Sequence, residues 1–403
     1  MSNFAFGTYR ISDLNPQHIE ALKEAIESGI TMIDTSSNYM DGGAERAIAL
    51  AFNQYDDKKD SIEIVSKFGY IQGSNLELHK ESPFEDVVEF SEDCYHSIAP
   101  SFLKQQLTMS LDRLQRDKIG CYLLHNPEYY LLDAINKGID KDTRLDEMYK
   151  RIEHSFVALE EEVKNGRIIS YGISSNSFAK ENSSDEFLPY EDLVTLAQNA
   201  CQKVGNNKHS FTTIQLPINL LEHDGLKCAS WAKENKLRVL VNRPINAQYN
   251  GEMFRLADYE ESQEYFHHLN ELLEVCDNDI LRPLYNLLEQ LDESKHKFGW
   301  IGDYDSFLYS QIIPHMRKVL EVVDEKNRDT MLNFIELFLQ EYRKMVSYEC
   351  SRTTRIKLSK YLENCDKTLQ ACAIEFLNEN ENIDYILVGM RKPSYVHEIL
   401  SLI

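Results

Sequence analysis

Basic residues are scarce relative to acidic ones, and this imbalance limits the partners that the protein can bind. The 403 residues contain 43 Lys and Arg against 66 Asp and Glu, which gives a formal net charge of −23. Nucleic acids and anionic membranes both require a basic face, so the composition argues against binding to either. A small anionic ligand held by a few local Lys or Arg residues is still compatible with it.

We also expect no membrane span, no leader segment and no metal site built on cysteines. No run of apolar residues approaches the length of a membrane span, which is about 18 residues. The first residues also lack the pattern of a signal peptide, a basic segment followed by an apolar one. The eight cysteines include no C-x-x-C pair, which argues against zinc and iron–sulfur sites and favours reduced thiols in a cytoplasmic protein. We expect Cys365 and Cys372 to share one helix face. His267 and His268 are adjacent and lack ligand spacing, so we predict no metal site.

The sequence does contain a repeated alternation of short apolar strands with amphipathic helices. No G-x-G-x-x-G follows any strand, which removes the main argument for a Rossmann domain. Eight βα units with polar strand ends favour a closed parallel (β/α)8 TIM barrel over a doubly wound sheet. The predicted strands are 4–10, 30–33, 61–69, 118–125, 168–176, 211–215, 237–242 and 385–389.

Residues 251–365 interrupt this repeat after the seventh strand. The segment is acidic and helical in pattern, so we predict a barrel formed by 1–250 and 366–403 with a helical insertion between them. Two amphipathic faces are predicted in it: Leu308, Ile312, Met316, Leu320 and Val323, and Leu332, Ile335, Leu339, Tyr342 and Val346. A second irregular stretch, 70–99, is long and polar for a βα loop, so we expect it to be functional or loosely ordered.

Four polar residues fall at or just after predicted strand ends. They are Asp34 and Tyr39 after the second strand, Lys67 at the end of the third and His125 at the end of the fourth. In a (β/α)8 barrel these ends lie on one face, where side chains are placed for chemistry. Any one of these residues alone is as readily a turn former or a structural polar group. The four together favour a site.

The order and setting of these four residues resemble the catalytic motifs of the aldo-keto reductase family. The motifs are Asp34-Thr-Ser with Tyr39, Val65-Ser-Lys67-Phe-Gly and Leu123-Leu-His125-Asn-Pro. The resemblance extends through Gly172-Ile-Ser-Ser, Ile214-Gln215 and Val388-Gly389-Met-Arg391. It implies hydride transfer to an aldehyde, ketone or sugar carbonyl, or the reverse alcohol oxidation, with NADP as cofactor (NAD being the alternative).

The resemblance also implies a role for each residue. Tyr39 donates the proton to the reduced carbonyl, and a neighbouring Lys67 ammonium favours the phenolate. Asp34 holds that ammonium, while His125 hydrogen-bonds and orients the carbonyl oxygen. The implied cofactor-binding residues are Gly7, Thr8, Ser174, Ser175, Gln215, Arg243, Gly389, Arg391 and Lys392.

The sequence departs from the family pattern at several cofactor positions. Ser175 stands where Asn is common, and Asn242 stands where an aromatic residue usually stacks on the nicotinamide. Arg243 is then a candidate contact for the pyrophosphate, while Arg391 and Lys392 are candidates for the adenosine 2′-phosphate. Tyr395 and Ile399 occupy positions where Arg and Asn are frequent. These departures leave a second interpretation open, a cofactor-binding sensor or scaffold with little turnover.

The insertion has two interpretations. The sequence ends at Ile403, directly after the last predicted helix, so we expect no C-terminal loop over the substrate pocket. The insertion is then predicted to act as a lid over the barrel mouth, together with loops 70–99 and 127–143. The alternative is that it packs on the outer helices or binds a protein partner.

Overall fold

The computed structural model describes residues 3–249, 251–321, 323, 325–362 and 365–402. Its strands are β1 (Asn3–Gly7), β2 (Met32–Asp34), β3 (Glu63–Phe68), β4 (Tyr70–Ile71), β5 (Val88–Ser91), β6 (Cys94–His96), β7 (Ile119–His125), β8 (Ile168–Ser174), β9 (Phe211–Pro217), β10 (Arg238–Asn242), β11 (Asn246–Tyr249), β12 (Glu252–Arg255) and β13 (Tyr385–Val388). Eight of these pair in parallel as a closed barrel in the order β1-β13-β10-β9-β8-β7-β3-β2. This confirms the predicted (β/α)8 barrel.

The helices follow the strands as the sequence pattern predicts. The first begins at Pro16, which lacks a backbone N–H, and the Asn15 side chain accepts a hydrogen bond from Gln17 N at 3.0 Å. The helices are α1 (Pro16–Glu27), α2 (Gly43–Phe52), α3 (Ser74–Glu81), α4 (Pro100–Leu114), α5 (Tyr129–Asn136), α6 (Lys141–Lys164), α7 (Leu193–Val204), α8 (Gly225–Glu234), α9 (Tyr265–Cys276), α10 (Arg282–Ser294), α11 (Ile301–Phe307), α12 (Ile313–Leu320), α13 (Glu325–Lys357), α14 (Leu369–Asn378) and α15 (Pro393–Leu400).

The segment 70–99 forms regular secondary structure, so the expectation that it is loosely ordered is wrong. A functional role for it stays a prediction. The segment contains α3 and a three-stranded antiparallel sheet in the order β4-β6-β5. The strands are only two to four residues long, so they leave almost no alternating pattern in the sequence. The sheet brings Tyr70 and His96 together, with ring centroids 5.6 Å apart.

The chain divides into two compact units, and each has its own core. The barrel unit comprises Met1–Pro244 and Phe376–Ile403, and the helical unit comprises Ile245–Glu375. The helical unit contains the hairpin β11-β12 and a helical core that includes Leu284, Phe338 and Tyr342. On α9, His267 and His268 each place a ring nitrogen 3.5 Å from the same Glu271 oxygen, which forms a largely exposed polar cluster.

The two predicted amphipathic faces of the insertion differ in outcome. Leu308, Ile312, Met316 and Leu320 are buried and Val323 packs against them, as predicted. These residues do not lie on one α-helix, however. A π-helical turn at Leu308–Ile312 separates α11 from α12, at the point where Pro314 cannot donate to the preceding turn.

The second predicted face is correct except at its first member. Ile335, Tyr342 and Val346 are buried and Leu339 is partly buried, but 43% of Leu332 is exposed. The neighbouring Met331 is buried in its place.

The prediction of reduced thiols is wrong for one pair. Cys365 and Cys372 form a disulfide, with Cα atoms 6.1 Å apart. They do not share a helix face, because Cys365 lies before α14 and Cys372 lies within it. The six other cysteines, Cys94, Cys121, Cys201, Cys228, Cys276 and Cys350, are free and buried.

Among the described residues, no helix combines the length and apolar character needed to cross a bilayer.

Candidate active site

Lys67 is the centre of a polar cluster at the carboxyl ends of β2 and β3. Its side chain is fully buried, and its ammonium donates to Asp34 Oδ2 at 2.7 Å, to Thr35 O at 2.8 Å and to Tyr39 OH at 3.3 Å. An ammonium has three hydrogens, so these three acceptors use all of them. Tyr39 accepts from Lys67, and its own hydroxyl hydrogen has no acceptor in the described part of the chain. The cluster therefore presents one phenolic proton that a ligand can take.

The electrostatics of the cluster keep that proton on the phenol. Burial raises the pKa of Tyr39, and the adjacent Lys67 opposes this without reversing it. Burial lowers the pKa of Lys67, but the charge of Asp34 and the contact with Tyr39 outweigh this and the net shift is upward. Tyr39 is therefore a protonated phenol beside a permanent cation at neutral pH. Lys67 limits the rise in the phenol pKa, as the sequence suggested, but does not bring it below its usual value.

His125, the last residue of β7, lies next to this cluster. Its ring is 5.9 Å from the Tyr39 ring and 4.8 Å from the Tyr70 ring, both in edge-to-face geometry. Its Nδ1 lies 3.0 Å from Ser36 Oγ. Burial lowers the pKa of His125 well below its usual value, and the charges of Lys67 and His96 act in the same direction. The ring is therefore neutral at physiological pH.

Gln215 connects two groups of residues that the sequence predicts separately. Its Nε2 donates to Asp34 Oδ1 at 2.7 Å, and its Oε1 accepts from Ser174 Oγ at 2.8 Å. Asp34 therefore receives one donor on each carboxylate oxygen, from Gln215 and from Lys67. A change at Ser174 or Gln215 will act on the Asp34–Lys67 pair as well as on any ligand they bind.

Ser175 is hydrogen-bonded to the carboxyl group of Glu128, which the sequence analysis did not predict as a site residue. Its hydroxyl donates to Glu128 Oε2 at 2.8 Å, and the other oxygen of Glu128 accepts from Asn176 N at 2.8 Å. Burial raises the pKa of Glu128 to about 7, although the hydrogen bonds from Ser175 and Asn176 oppose this. Ser175 can donate its hydroxyl hydrogen to another group only when it gives up this bond.

Gly7 and Thr8, the two predicted cofactor-binding residues at the end of β1, contact the neighbouring strand β2. Gly7 is in register with Asp34, and the backbone N–H and the hydroxyl of Thr8 both donate to Asp34 O, at 3.0 and 2.9 Å. The Thr8 hydroxyl hydrogen therefore joins β1 to β2. These residues support the position of Asp34 from the neighbouring strand.

At the end of β10, Asn242 and Arg243 carry polar atoms with no partner. Arg243 Nη2 donates to Glu222 Oε1 at 2.9 Å, and Arg243 has a left-handed backbone with φ of 55°. Asn242 Oδ1 and Arg243 Nε are buried and have no hydrogen-bond partner among the described residues. Buried polar atoms of this kind are normally satisfied, so they indicate a place for a polar ligand.

The predicted phosphate contacts lie after β13, the last strand of the barrel. Arg391 and Lys392 are exposed between Gly389 and the start of α15, and the Lys392 ammonium is 5.7 Å from the centre of the Tyr395 ring. A helix N-terminus beside two cations favours an anion. Ile399 is buried on α15, so it contributes to packing and not to a polar contact.

The structure thus brings Asp34, Tyr39, Lys67 and His125 together. Gln215 is hydrogen-bonded to Asp34, and Ser174 is hydrogen-bonded to Gln215. Sequence reasoning missed Ser36, Tyr70, His96 and Glu128. Ser36 lies inside a quoted motif and Glu128 lies three residues after His125, so proximity to the strand ends was the available signal. An acid–base cluster at the carboxyl ends of a (β/α)8 barrel is the arrangement of barrel enzymes.

Part of the chain is similar to proteins of one known family. Residues 3–191 match the model of the Aldo/keto reductase family. The chain is 24% identical over 224 residues to "Aldo-keto reductase YhdN" of Bacillus subtilis (strain 168), a match that covers 55% of this chain and 50% of that protein. The chain thus spans half the length of this curated relative.

One solved structure supports the fold. The holo form of aldo-keto reductase AKR11C1 from Bacillus halodurans superposes with a TM-score of 0.50 at 14% identity, over 99% of this chain and 86% of that chain. The glycerol dehydrogenase AKR11B4 from Gluconobacter oxydans gives 0.48 at 16% identity, over 99% and 85%. The match of residues 3–191 to the family model and the similarity to aldo-keto reductase YhdN support the resemblance drawn from the motifs.

Proposed function

We propose that the chain is an NADPH-dependent oxidoreductase that reduces an aldehyde, ketone or sugar carbonyl, or oxidises the corresponding alcohol, with Tyr39 as the proton donor. One observation carries the proposal. The Lys67 ammonium donates its three hydrogens to Asp34, Thr35 and Tyr39. The phenolic hydrogen of Tyr39 is therefore available to a ligand. The match of residues 3–191 to the Aldo/keto reductase family model supports the reaction type.

The residues around the cluster fit a nicotinamide cofactor, which would supply the hydride when bound. The unpartnered Asn242 Oδ1 and Arg243 Nε are buried at the end of β10, where a polar ligand would satisfy them. Ser174 and Gln215 offer further hydrogen-bonding capacity beside Asp34. Arg391 and Lys392, before α15, would hold a phosphate group.

Each chain residue then has a task in the reduction. His125 Nε2 is the ring nitrogen left to hydrogen-bond the reacting oxygen, because Nδ1 is engaged by Ser36. Tyr39 gives its proton to that oxygen as negative charge develops on it. Lys67 stabilises the phenolate that remains, and Asp34 keeps the ammonium charged and in place. In alcohol oxidation the same residues act in reverse order.

Tyr39→Phe tests the proton donor. The ring is retained and the hydroxyl is lost, so cofactor binding should persist while turnover falls by about 10²- to 10⁴-fold. Tyr9→Phe is the matched control, because the Tyr9 ring is 5.2 Å from the Tyr39 ring but 65% of Tyr9 is exposed. Turnover should be measured on a panel of carbonyls and NADPH binding by fluorescence titration. Undiminished turnover in Tyr39→Phe would remove Tyr39 from the mechanism.

Arg391→Ala with Lys392→Ala tests the cofactor preference. The double variant should weaken NADPH far more than NADH, by on the order of 1.5–3 kcal/mol per charged hydrogen bond, because only NADPH carries the 2′-phosphate. Lys118→Ala with Lys208→Ala removes the same charge from exposed sites that precede β7 and β9. Equal weakening of both cofactors would place the phosphate elsewhere.

A cofactor-binding sensor with little turnover is the second candidate. Two predicted cofactor contacts already have partners within the chain, since Ser175 donates to Glu128 and Arg243 pairs with Glu222. In a sensor, NADPH would bind without measurable turnover on any carbonyl, and Tyr39→Phe would leave that behaviour unchanged. In the enzyme, turnover is measurable and Tyr39→Phe abolishes most of it.

A further inference from the structure

Ser36 carries one hydroxyl hydrogen and has three neighbours that compete for it. Its Oγ lies 2.7 Å from Asn38 Oδ1, 3.0 Å from His125 Nδ1 and 3.3 Å from Lys67 O. Two of these neighbours, the Asn38 amide oxygen and the Lys67 carbonyl, can only accept. If Ser36 donates to either of them, its oxygen must accept a hydrogen from His125 Nδ1.

The arrangement beyond Asn38 favours this direction. Asn38 Nδ2 donates to Gln72 Oε1 at 3.1 Å, which turns the Asn38 oxygen towards Ser36 at the shortest distance in the group. The hydrogen bonds thus run from His125 through Ser36 and Asn38 to Gln72.

The direction matters because His125 is neutral. A neutral imidazole has one N–H and one lone pair, and the nitrogen that carries the hydrogen is set by the partner of the other nitrogen. With the hydrogen on Nδ1, Nε2 offers a lone pair. That lone pair can accept from the hydroxyl of an alcohol, whereas a carbonyl oxygen needs a donor.

We propose that Ser36 is a positioning residue that holds neutral His125 as the Nδ1–H tautomer, so that the resting site presents the Nε2 lone pair to the hydroxyl of an alcohol. The site accommodates a carbonyl when the direction of these hydrogen bonds reverses. The Asn38 and Gln72 amides then rotate, and the Ser36 hydroxyl donates to His125. The second part of this proposal rests on the proposed function, because it requires a reacting oxygen at Nε2. The tautomer itself does not.

The first test is independent of turnover. Long-range ¹⁵N–¹H NMR of histidine-labelled protein distinguishes the two tautomers, and a His125→Gln variant assigns the resonance. We expect Nδ1–H in the ligand-free protein and a shift towards Nε2–H in Ser36→Ala, where Nδ1 loses its acceptor. Ser37→Ala is the matched control, because the neighbouring hydroxyl is buried and has no hydrogen-bond partner among the described residues. An Nε2–H tautomer in the wild type, or an unchanged tautomer in Ser36→Ala, overturns the proposal.

The second test is kinetic and uses the best aldehyde of a panel together with its own alcohol. Ser36→Ala should raise the ratio of the KM for the alcohol to the KM for the aldehyde by roughly threefold to tenfold, the effect of one neutral hydrogen bond. Ser37→Ala should leave the ratio unchanged. An unchanged ratio in Ser36→Ala overturns the link between tautomer and substrate. If no carbonyl is turned over, the proposed function fails while the NMR result still decides the tautomer.

Discussion

The barrel unit and the helical unit bury different kinds of side chain. In the barrel unit the buried residues include seven charged groups, namely Asp34, Glu45, Lys67, Glu128, Arg144, Glu160 and Glu162. In the helical unit the buried polar residues of the described chain are hydroxyls: Ser262, Ser347, Ser351 and Thr354. Its core is otherwise apolar and aromatic.

This difference suggests that the buried charges of the barrel unit serve its chemistry, whereas the buried apolar residues of the helical unit serve its stability. A buried charge costs free energy unless it is paired and hydrogen-bonded, so a fold gains little stability from keeping one. Three of these groups, Asp34, Lys67 and Glu128, lie at or just after strand ends and make directed hydrogen bonds there. The other four lie on α2 and α6. The helical unit follows the simpler rule of apolar burial. Substitutions should therefore have different consequences in the two units.

The largest expected effect is the loss of the Asp34–Lys67 pair. Lys67→Met should reduce turnover by about 10²- to 10⁴-fold and lower the free energy of unfolding by about 3–5 kcal/mol, because it leaves the Asp34 carboxylate buried without its cation. Asp34→Asn combined with Lys67→Met should be equally inactive but regain most of that stability. Turnover and urea unfolding measure the two quantities. A double variant no more stable than Lys67→Met would show that the pair itself stabilises the barrel.

A core substitution in the helical unit is expected to act on stability alone. Phe338 is fully buried, so Phe338→Ala should destabilise the unit by about 3–5 kcal/mol through lost burial and a cavity. Leu337→Ala is the adjacent control, since 45% of Leu337 is exposed and its loss should cost little. Hydrogen exchange along α13 reports the change at both positions. Similar protection in the two variants would contradict the assigned core.

The buried Glu128 carboxyl makes the stability of the barrel unit depend on pH. Its pKa in the folded protein is raised to about 7, so it contributes stability at acidic pH that is lost as the pH rises from about 4.5 to about 7. Glu128→Gln, which mimics the protonated acid, should remove this decline, worth on the order of 1–3 kcal/mol. Urea unfolding across pH 5–8 measures it, with exposed Glu77→Gln as control. Parallel curves for wild type and Glu128→Gln would show that Glu128 does not titrate there.

The smallest expected effect concerns the helical unit as a lid. Replacing residues 252–364 with a short Gly/Ser linker should lower kcat/KM by about tenfold, because an open site admits water to the reacting groups. Circular dichroism of the shortened protein checks that the barrel still folds. Unchanged kinetic constants on the best substrate would instead favour a role away from the site, such as binding a protein partner.

The barrel and its four central residues could be predicted from the sequence because each lies in a local motif. Asp34 and Tyr39 are five residues apart, and Lys67 and His125 each occupy a strand end. The bonds between motifs could not be predicted in this way. Gln215 and Asp34 are 181 residues apart, and only the closure of the barrel brings their side chains within 2.7 Å.

Other misses have local causes. The sheet β4-β6-β5 consists of strands too short for an alternating pattern, and Glu128 resembles an ordinary polar residue after a proline. The pairing of Cys365 with Cys372 depends on the chain path before α14, which their spacing does not fix. Leu332 and Met331 are adjacent and both apolar, so the pattern did not determine which one faces the core.

The pairing of β1 with β13 imposes an order on synthesis. Phe4 is in register with Ile386, and β13 also pairs with β10, so the barrel cannot close before residue 388 has left the ribosome. The helical unit is continuous in sequence and can fold earlier. During its synthesis, β1 and β10 remain unpaired edges of an unfinished sheet. A nascent chain stalled between residues 250 and 380 therefore exposes two unpaired strand edges, which favour aggregation and chaperone binding.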